Sequence, residues 1–371
     1  METENKQMQE IVMASRAESR IDDYLRDRLM PVEGSIPHLA STEIYGNSIP
    51  AGKVGGDLFE YINFQQRYNI DARIANALRL SREYLEVLPD GQIPRNSVDE
   101  HVRWLTLKSD ESAVREDEYR RAKSSEQLRV ADNLQELYTT AGVLLVDAEG
   151  HGIISAKIAS TVHDTFHALM LAELDHHGKT TPELFENINL RLAQSVTARN
   201  ALGRDAHDYS REIATMIYGE IRPDGQFRFV NFGSPPPIVF SAEFGRFMPM
   251  DADQLVQFPA LGLEIPDDHP DRNKYFSAAH RKRQINASNI AKITLMSPGD
   301  IVFLYSDGVF DGSDEEDRQQ LEQIVRDNKH RGAKDICNAI LDHALIADER
   351  LRQMGEEDRI DDKTALIIKH G

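Results

Sequence analysis

The chain has 371 residues, 40% of them hydrophobic and 28% charged, a composition that fits a globular protein of one large domain or two ordinary ones. Acidic residues outnumber basic ones 62 to 43, and the net charge of −19 leaves no basic excess to neutralise phosphates, so nucleic acid is disfavoured as a partner. No apolar run is long enough to span a bilayer, no signal peptide opens the chain, and the single cysteine, Cys337, cannot close an internal disulfide, so the expectation is a cytoplasmic protein with no membrane partner.

Met1 to about Leu29 is polar, with Ile11, Val12, Ile21, Tyr24 and Leu25 at roughly helical spacing and Pro31 beyond the end. Residues 1–30 read as a helix with a thin apolar stripe: either a frayed leader or a dimerising or docking helix. After short apolar runs, Pro50-Ala51-Gly52-Lys53 breaks the chain, and Gly55-Gly56-Asp57 leads into the strand-like alternation Leu58 to Ile62. The paired glycines let the backbone pass close to something or mark a bulge.

From about 66 to 140 the character is helical. Asp71 to Leu88 is amphipathic, Pro89-Asp90-Gly91 is a turn, Trp104 sits in a short apolar stretch, and Ser109 to Tyr138 is a highly charged helical pattern. This block reads as an insert, either a surface excursion or a lid or partner-binding subdomain. Val143 to Val146 then runs as a buried strand into Asp147, and Gly150 and Gly152 bracket His151 in a tight turn before a helix. That helix, Ile153 to Leu174, presents Ile158, Val162, Phe166 and Leu169 on one face. It also carries His163 and His167, four residues apart as in the zinc metalloproteases. Asp164 stands where those enzymes have a glutamate, and the spacing specifies no third ligand, so ordinary helix-surface histidines are the plainer reading.

Thr181 and Pro182 mark a helix start, Thr181 as N-cap, with Leu184, Ile188 and Leu192 on the inner face of a helix to about Ala198. A hairpin follows, Ile213 to Ile221 and Phe227 to Phe232 around Pro223-Asp224-Gly225, then a strand at Ile238 to Ser241 and an irregular stretch from Leu255 to Lys292. Pro298-Gly299-Asp300 turns into the apolar strand Ile301 to Tyr305, which ends in Ser306-Asp307-Gly308. Helical patterns occupy about Arg318 to His330 and Ala333 to Met354. Asp361-Asp362-Lys363-Thr364 stands at the mouth of a last apolar strand, Ala365 to Ile368.

Separate segments thus put an aspartate at a strand end or glycine turn: Asp57, Asp147, Asp307, and Asp361 with Asp362. An all-oxygen set suits Mg²⁺ or Mn²⁺ better than zinc or copper. Several carboxylates brought together cannot all stay ionised without cations among them, and two such ions would also activate water for attack on phosphorus. The bland alternative is a set of unrelated turn aspartates.

Val54-Gly55-Gly56-Asp57, Asp147-Ala148-Glu149-Gly150-His151-Gly152, Tyr305-Ser306-Asp307-Gly308-Val309 and Asp361-Asp362-Lys363-Thr364 resemble, in the same order, the motifs of SpoIIE/RsbU-type serine phosphatases, the bacterial branch of the metal-dependent PPM protein phosphatases. The resemblance covers roughly Leu29 to Lys369 apart from the helical block. It implies an α+β fold, an α-β-β-α sandwich of two mainly antiparallel sheets flanked by helices, interrupted here by the helical insert at about 66–140. It implies a binuclear Mn²⁺ or Mg²⁺ centre that hydrolyses phosphoserine or phosphothreonine, with a phosphorylated STAS-type anti-sigma-factor antagonist as substrate. By motif match Asp147 bridges both ions, the carbonyl of Ala148 adds a ligand, Asp307 and Asp361 supply further carboxylates, and Asp57 holds metal or its water. The offset of His151 from Asp147 leaves its part in leaving-group chemistry open. Family members often dimerise through helices placed like residues 1–30. This chain departs from the pattern in the separation of Asp57 and Asp147, which lie 90 residues apart, and in Phe232-Gly233-Ser234-Pro235-Pro236 where the family commonly has Ala-Gly-His-Pro-Pro. No sensor domain is recognisable, so a signal would enter through the N-terminal helix or the insert. An active phosphatase and a catalytically inactive pseudophosphatase serving as a scaffold both stay open, with a zinc hydrolase built on His163 and His167 a distant third.

Overall fold

The computed structural model describes residues 39, 41–85, 111–150, 152–201, 213–250, 257–263, 290–295, 297–310 and 315–371, without the side chains of 111–118 and 193–201. The expected N-terminal helix, Trp104 and His151 lie outside the described residues. The chain divides into two compact units, one of Met1–Asn63, Thr139–His167 and Pro182–Gly371, the other of Phe64–Tyr138 and Ala168–Thr181.

The larger unit is built on two sheets. The first has the order β1 (Thr42–Ile49), β11 (Lys363–His370), β10 (Ile301–Tyr305), β6 (Ile238–Ser241), β7 (Arg246–Met248). The second runs β2 (Asp57–Asn63), β3 (Ala141–Ala148), β4 (Ala214–Ile221), β5 (Gln226–Phe232), β8 (Gln257–Phe258), with β9 (Ala291–Thr294) also paired to β5. All pairings are antiparallel except β5 with β8. The period-2 rule explains which residues meet. Phe59 and Tyr61 of β2, Val143 and Leu145 of β3 and Phe227 and Phe229 of β5 pack in one core with Val302 and Leu304 of β10 and Leu366 and Ile368 of β11. The alternate residues of the first sheet, Ile301, Phe303, Tyr305, Ala365 and Ile367, pack in a second core with Leu321 and Val325 of α6 (Glu315–Asn328) and Ile336, Ile340 and Leu341 of α7 (Ala333–Met354).

The outer face of the second sheet is covered the same way. α4 (Ile153–His177) brings Phe166 to 5.1 Å from Tyr218 of β4, and α5 (Pro182–Ala201) brings Phe185 within 5.7 Å of the same ring, measured between centroids. Helix, sheet, sheet and helix are therefore stacked, the α-β-β-α arrangement that the motifs imply. Two local readings are corrected. On α4 Ile158, Val162 and Phe166 are buried as read, but the stripe continues to Met170, and Leu169 is only partly covered. Thr181 does not cap α5 with its side chain: its hydroxyl has no hydrogen-bond partner among the described residues, and its N–H donates to Glu173 Oε2 at 3.1 Å.

The smaller unit is helical: α1 (Phe64–Tyr68), α2 (Ile70–Leu85), α3 (Glu111–Glu136) and the C-terminal end of α4. Ser81 and Ser124 share a buried 2.8 Å hydrogen bond between α2 and α3, and Arg73 pairs with Asp175. Gly178, at φ 68°, passes close to Val130, where an added Cβ would lie 2.3 Å from the Val130 carbonyl oxygen. No helix among the described residues is long and apolar enough to cross a membrane.

Candidate metal centre

The antiparallel register of β2 and β3 sets Asp57 directly opposite Asp147. At the same edge, β10 and β11 pair with Tyr305 opposite Ala365, so Asp307, two residues past β10, and Asp361, two residues before β11, leave the first sheet together. The two sheets are tied here by hydrogen bonds. Thr364 of β11 donates its hydroxyl to Asp57 Oδ2 (2.7 Å) and lies 2.7 Å from Ser48 Oγ, while its N–H donates to Ser306 Oγ (2.9 Å). The four expected aspartates are thus brought to one edge, Asp57 buried, Asp147 and Asp361 partly covered and Asp307 open to solvent.

The charges bear on one another. Burial raises the Asp147 carboxyl far above its ordinary range, and Asp57, Asp307, Asp361 and Asp362 raise it further, in that order. Burial likewise raises Asp57, hydrogen bonds from Ser306 and Thr364 act to lower it, and the charges of Asp362 and Asp361 add to the rise. Desolvation and like charge both oppose ionisation, so this edge holds less negative charge than its carboxylates would carry in water. A hard cation removes that penalty, and the donors are all oxygen, the set that suits Mg²⁺ or Mn²⁺. The backbone is shaped to match: an added Cβ on Gly56 would lie 2.7 Å from the carbonyl oxygen of Ala148, which only glycine leaves clear.

Adjacent Asp361 and Asp362 look equivalent in sequence, and the structure separates them. Asp362 is 3% exposed and turned inward, accepting the N–H groups of Ala51 (2.6 Å) and Gly56 (2.5 Å). It is an anchor for the loop that delivers Asp57. Gly55 is explained by it, since an added Cβ there would lie 2.5 Å from the Asp362 carboxylate; the glycine pair serves close approach and is not a bulge. Lys363 Nζ pairs with Asp348 Oδ1 of α7 at 2.7 Å and donates to the Asp361 carbonyl at 2.9 Å. Gly150 and Gly152 have φ of 86° and 85°, the left-handed turn expected after Asp147. Sequence reasoning missed Ser306 and Thr364. The only sign of them was their place beside Asp307 and Asp362, which does not reveal where a hydroxyl points.

Gly308 is the tightest point of the site, for an added Cβ would lie 2.1 Å from the carbonyl oxygen of Asp362. Backbone cannot swing aside as a side chain can, so Gly308→Ala is expected to cost about 1–3 kcal/mol by overpacking, read as a lower urea midpoint with unchanged slope. A midpoint equal to wild type would show that the Asp307 turn and the start of β11 yield freely. Beside this edge lies an open groove of about 480 Å³, lined by Asp307, Phe310, His343, Arg350, Arg359 and Asp361 among others.

No curated protein matches the sequence. Among solved structures the chain is similar to the RsbU and RsbW domains of a Mycobacterium tuberculosis protein (14% identity, TM-score 0.47, 91% of this chain and 63% of that one). It is similar to the PP2C phosphatase domain of SpoIIE from Bacillus subtilis with a fragment of its regulatory domain (11%, 0.45, 89% and 63%). It is similar also to the SiaA PP2C domain of Pseudomonas aeruginosa (13%, 0.46, 100% and 99%). The chain therefore spans under two thirds of the length of the first two. A family model for Stage II sporulation protein E (SpoIIE) matches residues 139–279 and 290–371, more than half of the sequence, and includes Asp147, Asp307 and Asp361. With the ordered motifs and the stacked sheets, this match establishes that the chain belongs to the SpoIIE family, the SpoIIE/RsbU-type PPM phosphatases.

Proposed function

We propose that the protein is a metal-dependent serine/threonine phosphatase acting on a phosphorylated protein, by family analogy a STAS-type anti-sigma-factor antagonist. The observation that carries this reading is the register-opposed pair Asp57 and Asp147, both resisting ionisation, with Asp307 and Asp361 acting on Asp147 from the other sheet. Asp57, Asp147, Asp307, Asp361 and the Ala148 carbonyl would hold Mn²⁺ or Mg²⁺, two ions in this family's pattern. When bound, such ions supply Lewis-acid chemistry: activation of water and neutralisation of charge developing on the phosphoryl group. The remaining work falls to the chain. Thr364 and Ser306 hold Asp57 in one orientation, Asp362 holds the loop before it, and Lys363 holds the Asp361 backbone. With Asp57 and its loop already held, that part of the centre needs little reorganisation during reaction. The groove supports a protein substrate, since Arg350 and Arg359 offer cationic contacts for an acidic phosphopeptide next to Asp307 and Asp361. Regulation would enter through residues 1–30, which by family analogy would also mediate a homodimer, or through the helical segment between β2 and β3.

The test is turnover of p-nitrophenyl phosphate and of a phosphoserine peptide by the purified chain with Mn²⁺ or Mg²⁺. Hydrolysis of both, abolished by chelator, is expected. Binding of Mn²⁺ and of a phosphoprotein with no turnover of either substrate would make the chain a scaffold instead.

A further inference from the structure

Glu60 is out of place by the usual logic of a buried sheet. On β2 the residues Phe59 and Tyr61 join the core between the sheets, so Glu60 projects to the opposite face, the one covered by α4. A carboxylate there requires partners. It has two histidines one helical turn apart: His163 Nε2 lies 2.9 Å and His167 Nε2 2.6 Å from the same oxygen, Glu60 Oε2, and the two Nε2 atoms are 3.2 Å from each other. The spacing in sequence supplied two histidines without a third ligand; the strand supplies the third.

We propose that Glu60, His163 and His167 form a zinc site, chemically distinct from the aspartate edge, that bolts α4 to the strand carrying Asp57. Ligands about 2.0–2.1 Å from a tetrahedral zinc ion are separated by about 3.3 Å, and two histidines with one glutamate are a known zinc ligand set. The three atoms are already gathered within 4.8 Å of one another. Each side chain keeps 12–15% exposure, leaving one side open for a water or other fourth ligand. Asp164 Oδ1 lies 3.5 Å from His163 Nδ1, where a carboxylate favours the proton on Nδ1 and frees Nε2 for a metal. Phe166, 5.2 Å from the His167 ring between centroids, walls the site on one side. Burial acts to raise the Glu60 carboxyl, but the hydrogen bonds and charges of His163 and His167 outweigh it and lower the group to about 2; a zinc ion would take the place of the imidazolium protons that supply those charges. Imidazole nitrogen suits zinc and other transition ions, while the all-oxygen edge suits Mg²⁺ or Mn²⁺, so the two sites differ in ligand type. Glu60 is three residues along β2 from Asp57, which gives the site a positioning role and needs no chemistry from the zinc.

The full chain is stripped with chelator, given excess Mg²⁺ to occupy the aspartate edge, incubated with ZnCl₂, desalted and assayed by elemental mass spectrometry. About one zinc per chain is expected for wild type and for Asp307→Asn, with loss of most of it in Glu60→Gln and in the double variant His163→Gln/His167→Gln. Cobalt in place of zinc should show the intense visible absorption of a tetrahedral ion in wild type, and lose it in His167→Gln. Thermal melts guard against misfolding: the variants should melt cooperatively without zinc and lack the zinc-dependent rise in Tm seen in wild type. The proposal is overturned if wild type retains no zinc, if the double variant retains as much as wild type, or if Asp307→Asn alone abolishes retention. In the first case the three residues are a hydrogen-bonded latch without metal, and in the last the zinc sits in the aspartate edge.

Discussion

Asp147→Asn is expected to lower phosphatase turnover by about 10³-fold or more while making the metal-free protein more stable than wild type. The two effects have one cause. Asp147 is the carboxylate on which every other acidic group of the site acts, so it is the centre of the repulsion and, on the proposed function, of the cation binding that would relieve it. Asparagine keeps the shape and removes the charge. In the folded metal-free protein the Asp147 carboxyl titrates above its ordinary value of 3.8, so over that interval the folded chain keeps a proton the unfolded chain has lost. The stabilisation is therefore complete below the unfolded value and disappears as pH rises through the folded one. Wild type without metal should lose stability between mildly acidic and alkaline pH, and Asp147→Asn should lose less, a gap of about 1–2 kcal/mol at the upper end. Adding Mn²⁺ inverts the order, since an ion that binds only the native state stabilises wild type by mass action and the variant less. Ester hydrolysis and thermal melts at several pH values, with Mn²⁺ and with chelator, measure all of this. Near wild-type turnover in Asp147→Asn would remove the residue from the site, and the phosphatase reading with it.

Lys363→Met should destabilise the larger unit by about 3–5 kcal/mol, the cost of leaving a buried carboxylate without its partner. Lys363 and Asp348 expose only 4% and 7% of their side chains and meet at 2.7 Å, with α7 supplying one and the first residue of β11 the other. Methionine has a similar length and volume, so what is lost is the charge and its hydrogen bonds. The double variant with Asp348→Leu should recover most of the stability, because an apolar pair of similar volume replaces a buried ion pair at little cost. Activity should not recover with it. The Lys363 ammonium also donates to the Asp361 carbonyl, and methionine cannot hold that backbone in place. Urea unfolding of wild type, single and double variants, beside their turnover, separates the two roles. A single variant within about 1 kcal/mol of wild type would show that Asp348 finds other partners or water.

Much of this protein follows from local sequence alone. The strands Ile238–Ser241 and Ile301–Tyr305 and the hairpin of β4 and β5 carry their own evidence, because apolar runs bounded by a proline run, a Pro-Gly-Asp turn or a Pro-Asp-Gly turn leave a chain few alternatives. The candidate aspartates were legible for the same reason: Asp147 and Asp307 follow apolar runs, Asp57 follows a glycine pair and Asp361 precedes an apolar run, each at a point where the backbone must turn. What residues within one segment cannot decide is which groups from distant segments share a space. Asp361 and Asp362 are indistinguishable until the first loop arrives and fills Asp362 with the N–H groups of Ala51 and Gly56, some 300 residues away in sequence. Gly308 resembles any turn glycine until β11 places the Asp362 carbonyl where its side chain would be. Glu60 reads as the polar member of an alternating strand, and His163 and His167 as helix-surface residues, until sheet and helix pack together and leave one carboxylate oxygen facing both rings. Periodicity and turn chemistry act over a few residues and are written in the order of the chain. Packing across layers acts over the whole unit, and only the assembled sheets determine which carboxylate meets other carboxylates, which a backbone amide and which a histidine.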